Sequence, residues 1–537
     1  MLLYRARGVF LISLVLCLLT AGGHLYSPDE EIMFRVTESL ATRGALDVEP
    51  IVGPDGGTFA TRKGTNGHEY AQYGVGNSLV AVPLYWAGAL ACQVVSDPAA
   101  RSWLDFETML YAPEGPGRGH ALLKRFFVSF TGAFIAAATA ALIFLFCRAL
   151  LADRRDDDAA DAPADRSAVP AIVALAYAAG TIALPHARTF FSEPLATLCL
   201  LATFYVLAVP GHQPLTVRRA ALAGVLLALA FFTRLDTAFA AVGAGLYCLW
   251  RLPVRGDTAE APARWTDHIT GRLHAASLAR VAAFAAPILL FGAWQLLMNA
   301  LHFGSPFSSA YADQPEGINF STPVIAGLYG FLFSVGKSLF LFSPVIVLGL
   351  LGWGRFYDRY RALAVCFAIT ILGKLLIHST WQNWAGGWCW GPRHVFLIHA
   401  FLVIPAIGYV GLGGRARRLF IDSVLLAGFL VQIYGSSQSF IDYYLLYYRT
   451  PYTPPNATVM YGGEDIAPSF IQATALAPDG TTVPFPVLAM PAPINDSIYV
   501  PHNSQWYRYA EMWNAGHTDN LWLRLMQRGR GKEQPIE

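Results

Sequence analysis

Asp29, Glu30 and Glu31 stand consecutively a few residues beyond the first apolar segment, within Ser27-Pro28-Asp29-Glu30-Glu31. Carboxylates beside a membrane helix are costly to hold there unless they bind a cation or do chemistry. Capping is the competing account, because Ser27 and Asp29 both favour helix starts. Elsewhere the chain supplies cations that could hold a phosphate, among them His186, Arg188, Lys337 and Arg393. It also supplies aromatic faces that could stack on a sugar: Tyr73, Trp384, Trp388 and Trp390. A base within reach of an acceptor hydroxyl, with cations on a leaving phosphate, is the minimal set for glycosyl transfer.

That chemistry needs one compartment, so the elements that position these residues matter. The 537 residues are 55% hydrophobic and 14% charged, against roughly 25% charged in soluble chains. Mean hydropathy is +0.41. Apolar runs of about 17–25 residues recur, which defines an all-α polytopic membrane protein. The expected spans are Gly8 to Gly23, then approximately 125–150, 168–186, 191–209, 220–233, 236–250, 281–300, 338–353, 362–378, 394–413 and 419–437. That makes about eleven, an odd number that places the termini on opposite sides. Cys17, Cys92, Cys147, Cys199, Cys248, Cys366 and Cys389 are scattered without a CxxC, which argues against a zinc site or a disulfide framework. No nucleic-acid partner is expected.

Basic residues test the count. With alternating sides, Arg154, Arg155 and Arg166 fall inside, as do Arg218 and Arg219, and Arg251, Arg255, Arg264, Arg272 and Arg280. Arg355, Arg359 and Arg361 follow, then Arg415, Arg417 and Arg418. The positive-inside rule is met by every run, giving a cytoplasmic N-terminus and an extracytoplasmic C-terminus. Counting Leu79 to Val95 as a span would reverse this, so it reads as an interfacial helix within a large outer loop, residues 24–124. Ile32, Val36 and Leu40 mark a second short amphipathic helix in that loop. The Asp/Ala-rich stretch Asp153 to Asp165 reads as a cytoplasmic linker. Residues 438–537, rich in Pro, Tyr, Asn and Gly, read as an irregular outer region, with an incidental sequon at Asn456.

Sorted by side, the outer face gathers the acids with Lys63, His68, Glu69, Gln72 and Tyr73; His186, Arg188 and Glu193; Arg234 and Asp236; and His302, Asp313 and Gln314. Lys337, Lys374, His378 and the stretch Trp381 to His394 complete the set. Each has a plain alternative. Lys374 and His378 read first as snorkelling anchors, as His186 and Arg188 do by default. Arg234 and Asp236 read as a pair across a turn. Lys337 and Arg393 lie on the outer side against the charge bias, and a local anion explains them.

Three stretches resemble GT-C glycosyltransferases that use polyprenyl-phosphate-linked sugars, a group with protein O-mannosyltransferases and the aminoarabinose transferase of lipid A. They are PDEEIMFRVTESLATRGALDVEP at 28–50, YAQYGVGNSLVAVPLYWAGAL at 70–90, and HARTFFSEPLATL at 186–198 taken with FFTRLD at 231–236 and WAGGWCWGPRHVF at 384–396. Gln72-Tyr73-Gly74 stands where the lipid A branch has Lys-Pro-Pro. The resemblance implies a GT-C-like transmembrane domain over 1–437 and an extracytoplasmic region over 438–537, in a bacterial inner membrane. It implies Asp29 as the acid that deprotonates or orients the acceptor, with Glu30 as neighbour or substitute. Arg393 and Lys337, with Arg188 and His186, would hold the donor phosphate. Glu193 stands where some relatives place a metal-binding acid, so Asp29 and Glu193 are the tentative ligands of a divalent cation, Mg or Mn, whose need stays open. The implied partners are a polyprenyl-phosphate sugar, membrane lipids and an extracytoplasmic glycan, lipid or protein acceptor. A transporter or flippase is the rival, and would predict ionisable residues in mid-helix and repeated halves.

Overall fold

The computed structural model describes residues 5–52, 58–105, 112–113, 115–152, 167–209, 211, 213–252, 275–312, 319–447, 470–476, 482–488, 498–514 and 518–529. Asp313, Gln314, Asn456, the 153–165 linker, and Arg154, Arg155, Arg166, Arg255, Arg264 and Arg272 lie outside them.

The chain is built mostly of helices, because its long apolar runs must satisfy their own backbone groups. Helix α1 (Ala6–Leu19) is followed by α2 (Pro28–Arg43), with Ser27 at its N-cap, Pro28 in its first turn, and left-handed Gly44 (φ 64°) ending it. Two small antiparallel hairpins follow: β1 (Ile51–Val52) with β2 (Thr58–Phe59), and β3 (Thr61–Lys63) with β4 (Glu69–Ala71). Helices α3 (Gly76–Ala91), α4 (Asp97–Leu104) and α5 (Arg118–Ser129) complete the first loop, and α3 packs on α2 and α5. The expected interfacial stretch at 32–40 is therefore helical, and that at 79–95 is helical as far as Ala91.

The bundle continues with α6 (Thr131–Ala152), α7 (Val169–Gly180), α8 (Ala183–His186), α9 (Glu193–Ala208), α10 (Val217–Thr233), α11 (Ala238–Trp250) and α12 (Ala275–Phe303). After these come α13 (Val324–Phe333), α14 (Leu339–Phe342), α15 (Ile346–Arg359), α16 (Arg361–Thr380), α17 (Ile398–Val403), α18 (Ile407–Val410) and α19 (Arg415–Ser436). Helix α6 packs against α1, α7 and α9, while α16 packs against α11 and α13. By length and composition, four helical stretches suffice to cross a bilayer among the described residues: Arg118–Ala152, Ser277–Phe303, Arg361–Thr380 and Arg415–Ser436. Six shorter apolar helices accompany them.

Several expected spans are broken, and the breaks have local causes. The 338–353 span is divided at Ser343-Pro344, where Ser343 Oγ accepts the Ile182 N–H at 3.1 Å. Pro405 interrupts 394–413, since proline has no N–H to continue a helix. Thr181 is extended and cuts α8 from α7. Helix α13 was not expected as a separate element. It approaches α16 closely because a Cβ at Gly327 would lie 2.1 Å from the Ser379 carbonyl oxygen.

The C-terminal region also departs from an irregular reading. It contains α20 (Phe440–Tyr447), an antiparallel pair β5 (Phe470–Leu476) and β6 (Thr482–Leu488), α21 (Gln505–Asn514) and α22 (Leu521–Gly529). Tyr443, Ile498, Tyr509 and Met512 share one apolar core with the bundle. Asn520 Nδ2 and Trp522 Nε1 donate to the Leu19 and Leu18 carbonyls at 2.9 and 2.8 Å, capping the free end of α1.

Candidate active site

The three consecutive acids take three different partners. Glu31 is buried and receives Arg125 through Nη2 at 2.7 Å and Nε at 3.0 Å, with Arg35 Nε at 2.9 Å. Glu30 is fully buried and folds back to accept the Tyr26 backbone N–H at 3.1 Å, while its own N–H reaches Ser27 Oγ at 3.4 Å. Burial pushes its carboxyl up to about 8, against the pull of the backbone N–H groups of Tyr26 and Phe190. Glu30 thus acts as the back-reaching acid of a capping arrangement, a role not expected for it, while Ser27 takes the N-cap place expected of a helix-start residue.

Asp29 alone turns to the middle of the bundle end. Its Oδ2 accepts from Arg393 Nη1 at 2.9 Å, and the two side chains are 19% and 12% exposed. Arg393 Nε lies 3.5 Å from Glu193 Oε1, which also takes Arg234 Nη1 at 2.8 Å. Arg234 grips Asp236 with two bonds of 3.0 Å. Asp236 Oδ2 then meets Lys374 Nζ at 2.8 Å and His378 Nε2 at 3.1 Å. One chain of alternating charges therefore runs from α2 through the starts of α9 and α11 to the last turns of α16.

Tyr73 borders this chain. Burial and then the Asp29 charge hold its phenol well above the ordinary range. Tyr311 stands among Arg234, Asp236, Asp29 and Glu193, and burial pushes it up to about 12. Arg393 also lies over the Phe191 ring, 4.3 Å from its centroid, which adds a cation–π contact. The turn that delivers Arg393 uses left-handed glycines, Gly386 (φ 82°) and Gly391 (φ 68°).

Other expected phosphate ligands are committed to the fold. Lys337 Nζ lies 3.1–3.2 Å from the carbonyls of Gly387, Cys389 and Gly391 and 3.3 Å from Cys389 Sγ, so it braces the loop before Arg393. His186 Nε2 lies 3.0 Å from the Trp390 carbonyl. Arg188 is buried and donates to Asp519 Oδ2 and O at 2.5 Å, and to the Ser436 and Gln438 carbonyls. The resemblance implies a phosphate-binding role for each of the three. Each turns inward because unpaired backbone carbonyls or a buried carboxylate wait there.

The tryptophans divide likewise. Trp390 is 1% exposed among Phe342, Trp506 and Tyr509, and Trp384 packs on Phe331 and Gly330. Both are core residues. Trp388 is half-buried and stacks on Tyr444 with centroids 5.4 Å apart.

Asp29 and Glu193 both face the Arg393 guanidinium, so a guanidinium occupies the place a cation would need. Among the described residues, no group of three His, Cys, Asp or Glu could hold a metal ion. The present arrangement therefore does not fit the tentative ligand pair.

Lys374 and His378, expected as anchors, belong to this charge chain, and Tyr311 and Arg125 are site residues that local sequence does not mark. Lys374 and His378 had a signal: a four-residue step puts both on one helix face, pointing the way of Asp236. Arg125 and Tyr311 had none.

No protein-family model matches the chain, and no curated protein matches it. Solved structures are similar to it, and they are GT-C glycosyltransferases, the class its sequence stretches resemble. ArnT from Cupriavidus metallidurans bound to undecaprenyl phosphate is 12% identical over 84% of this chain and 66% of that one, with a TM-score of 0.44. The archaeal oligosaccharyltransferase AglB from Archaeoglobus fulgidus, in complex with an inhibitory peptide and a dolichol-phosphate, is 12% identical over 80% and 56%, with a TM-score of 0.38. The Archaeoglobus fulgidus enzyme in the apo form is 13% identical over 83% and 58%, with a TM-score of 0.40. The chain thus spans 66% or less of the length of these proteins. Likeness at this level assigns no residue a role, and the roles rest on this chain's own geometry.

Proposed function

We propose that this chain transfers a sugar, hexosyl or pentosyl, from a polyprenyl-phosphate-linked donor to an extracytoplasmic glycan, lipid or protein acceptor. The observation that supports it is the partly exposed Asp29–Arg393 pair, a base and a phosphate-binding fork in one place. Arg393 presents parallel N–H donors suited to a phosphate monoester or diester. When the donor phosphate takes Arg393, Asp29 loses its partner and becomes available to the acceptor hydroxyl.

The acceptor oxygen then attacks the anomeric carbon as the carbon–oxygen bond to phosphate breaks. Asp29 receives the hydroxyl proton, and the electron pair leaves with polyprenyl phosphate, whose new charge Arg393 stabilises. Attack opposite the leaving group inverts the anomeric centre. Glu193, Arg234, Asp236 and Lys374 keep Arg393 oriented, and Tyr73 borders the acceptor side of Asp29. Trp388, stacked on Tyr444, supplies a flat face near the loop that delivers Arg393. The bracing by Lys337 makes it a positioning residue.

The charge bias supports this bundle end outside, with the region after residue 437 on the same side, and the resemblance implies an inner bacterial membrane. Purified protein supplied with a radiolabelled polyprenyl-phosphate sugar and an extracytoplasmic membrane fraction tests the reading. Release of polyprenyl phosphate, lost in Asp29→Asn at equal protein level, supports transfer. Labelled lipid that crosses vesicles intact would support the flippase reading instead. The same assay with and without Mg or Mn decides the need for a cation.

A further inference from the structure

Buried polar atoms in folded proteins nearly always have hydrogen-bond partners, so several without one at a single site mark where a ligand supplies them. Three belong to residues at the Asp29–Arg393 pair: Glu193 Oε2, Arg393 Nε and His394 Nδ1 make no hydrogen bond among the described residues. Glu193 is 3% exposed and His394 7%. The two oxygens of Glu193 are used differently. Oε1 takes Arg234 Nη1 at 2.8 Å and lies 3.5 Å from Arg393 Nε, an ion pair without a hydrogen bond, while Oε2 is left over.

Arg393 and His394 share one short turn, Arg393–Val395. The His394 ring stacks on Trp381, with centroids 5.7 Å and planes 21° apart. It also lies 5.5 Å from the ring of His378, whose Nε2 meets Asp236. Trp381 is half-buried, so part of its indole stays open next to the imidazole.

These three atoms call for a partner that both donates and accepts. A carboxylate oxygen only accepts, a guanidinium N–H only donates, and imidazole Nδ1 does either according to its tautomer. A hydroxyl suits each of them, and neighbouring hydroxyls of one ring suit them together. An ammonium would add a positive charge where Arg234 and Arg393 already face Glu193, and a carboxylate would meet Oε2 with like charge.

We propose that Glu193 Oε2, Arg393 Nε and His394 Nδ1 read the hydroxyls of a neutral sugar ring, with the Trp381 indole as the adjoining flat wall. This rests on the sugar-transfer reading and narrows its donor to an uncharged sugar.

The test titrates the purified full-length protein, by native mass spectrometry, with bare undecaprenyl phosphate and with the same lipid carrying glucose, mannose, galactose, arabinose, glucosamine or glucuronic acid. At least one neutral sugar should bind about tenfold more tightly than the bare lipid and than the two charged sugars, the gain expected of a hydrogen bond to a charged group. Monodeoxy analogues of that sugar should lose the gain at one or more ring positions. His394→Phe, which keeps a ring to stack on Trp381, should lose it when read as the ratio of sugar-bearing to bare lipid affinity. His394→Asn, which keeps a polar atom at the δ position, should restore part of it. The deoxy series on wild type decides the matter even if His394→Phe fails to fold. Deoxy analogues as tight as their parent, a charged sugar bound tightest, or no gain from any neutral sugar overturns the inference and leaves phosphate capture by Arg393 standing. Failure of the bare lipid and all its conjugates to bind overturns the sugar-transfer reading and this inference with it.

Discussion

Arg393 and Asp29, 364 positions apart, meet at 2.9 Å, and the same guanidinium lies 3.5 Å from Glu193. A single cation thereby ties the start of α2 to the start of α9 at one end of the bundle. Because the pair is partly open, a phosphate can compete for it.

Replacing Asp29 by Asn removes the proton acceptor while keeping shape. The rate of polyprenyl phosphate release should fall about a hundred- to ten-thousand-fold, with little change in melting temperature. Arg393→Lys keeps the charge but loses the fork, so it should weaken donor binding more than it unfolds the chain. An unimpaired rate in Asp29→Asn would remove Asp29 from the chemistry.

Asp236 faces Arg234, Lys374 and His378 together. Asp236→Asn strands the buried Lys374, while Arg234 keeps Glu193, and should cost roughly 3–5 kcal/mol, the usual penalty for breaking a buried pair from one side. Adding Lys374→Met should recover part of that loss. Chemical unfolding of the single and double variants measures it, and additive losses would mean that the groups are not coupled.

Glu30 gives a pH dependence with a defined sign. Its carboxyl is raised to about 8 by burial, so between the ordinary carboxyl range and pH 8 the folded chain holds a proton that the unfolded chain has released. Folding is favoured at the acid end of that window and weakens as pH rises through it. Glu30→Gln should flatten this slope and exceed wild type in melting temperature at pH 8.5, while matching it near pH 5. A variant that keeps the wild-type slope would show that another group titrates.

Asp519 is the anchor of the C-terminal region. Burial alone would raise its carboxyl, but Arg524, His24 and Arg188 outweigh it and hold it well below the usual carboxylate range. Asp519→Asn leaves Arg188 buried without its counter-charge, at a cost of roughly 3–5 kcal/mol. Limited proteolysis should then cut the chain after residue 440 faster than in wild type. Equal protection would mean that the apolar contacts of Tyr509 and Leu521 suffice.

Local pattern explains how much of this was legible beforehand. Apolar runs bounded by arginines report helices and their ends, because each depends on neighbours within a few residues. Ser27 and Asp29 report a helix start for the same reason. Span integrity was less legible: Pro344 and Pro405 lie in apolar stretches whose hydropathy hides the break.

The amino-acid sequence by itself determined a helical membrane chain, an acid-bearing helix start after its first apolar segment, and an arginine-rich end. Only the tertiary structure decided that Asp29 faces Arg393 while Glu30 and Glu31 turn away, and that Arg188 belongs to Asp519 at a separation of 331 positions. Composition cannot distinguish Arg188 from Arg393, since both are arginines near helix ends. Their difference lies in which distant carboxylate packing brings within 3 Å, and that is a property of how the helices close on one another.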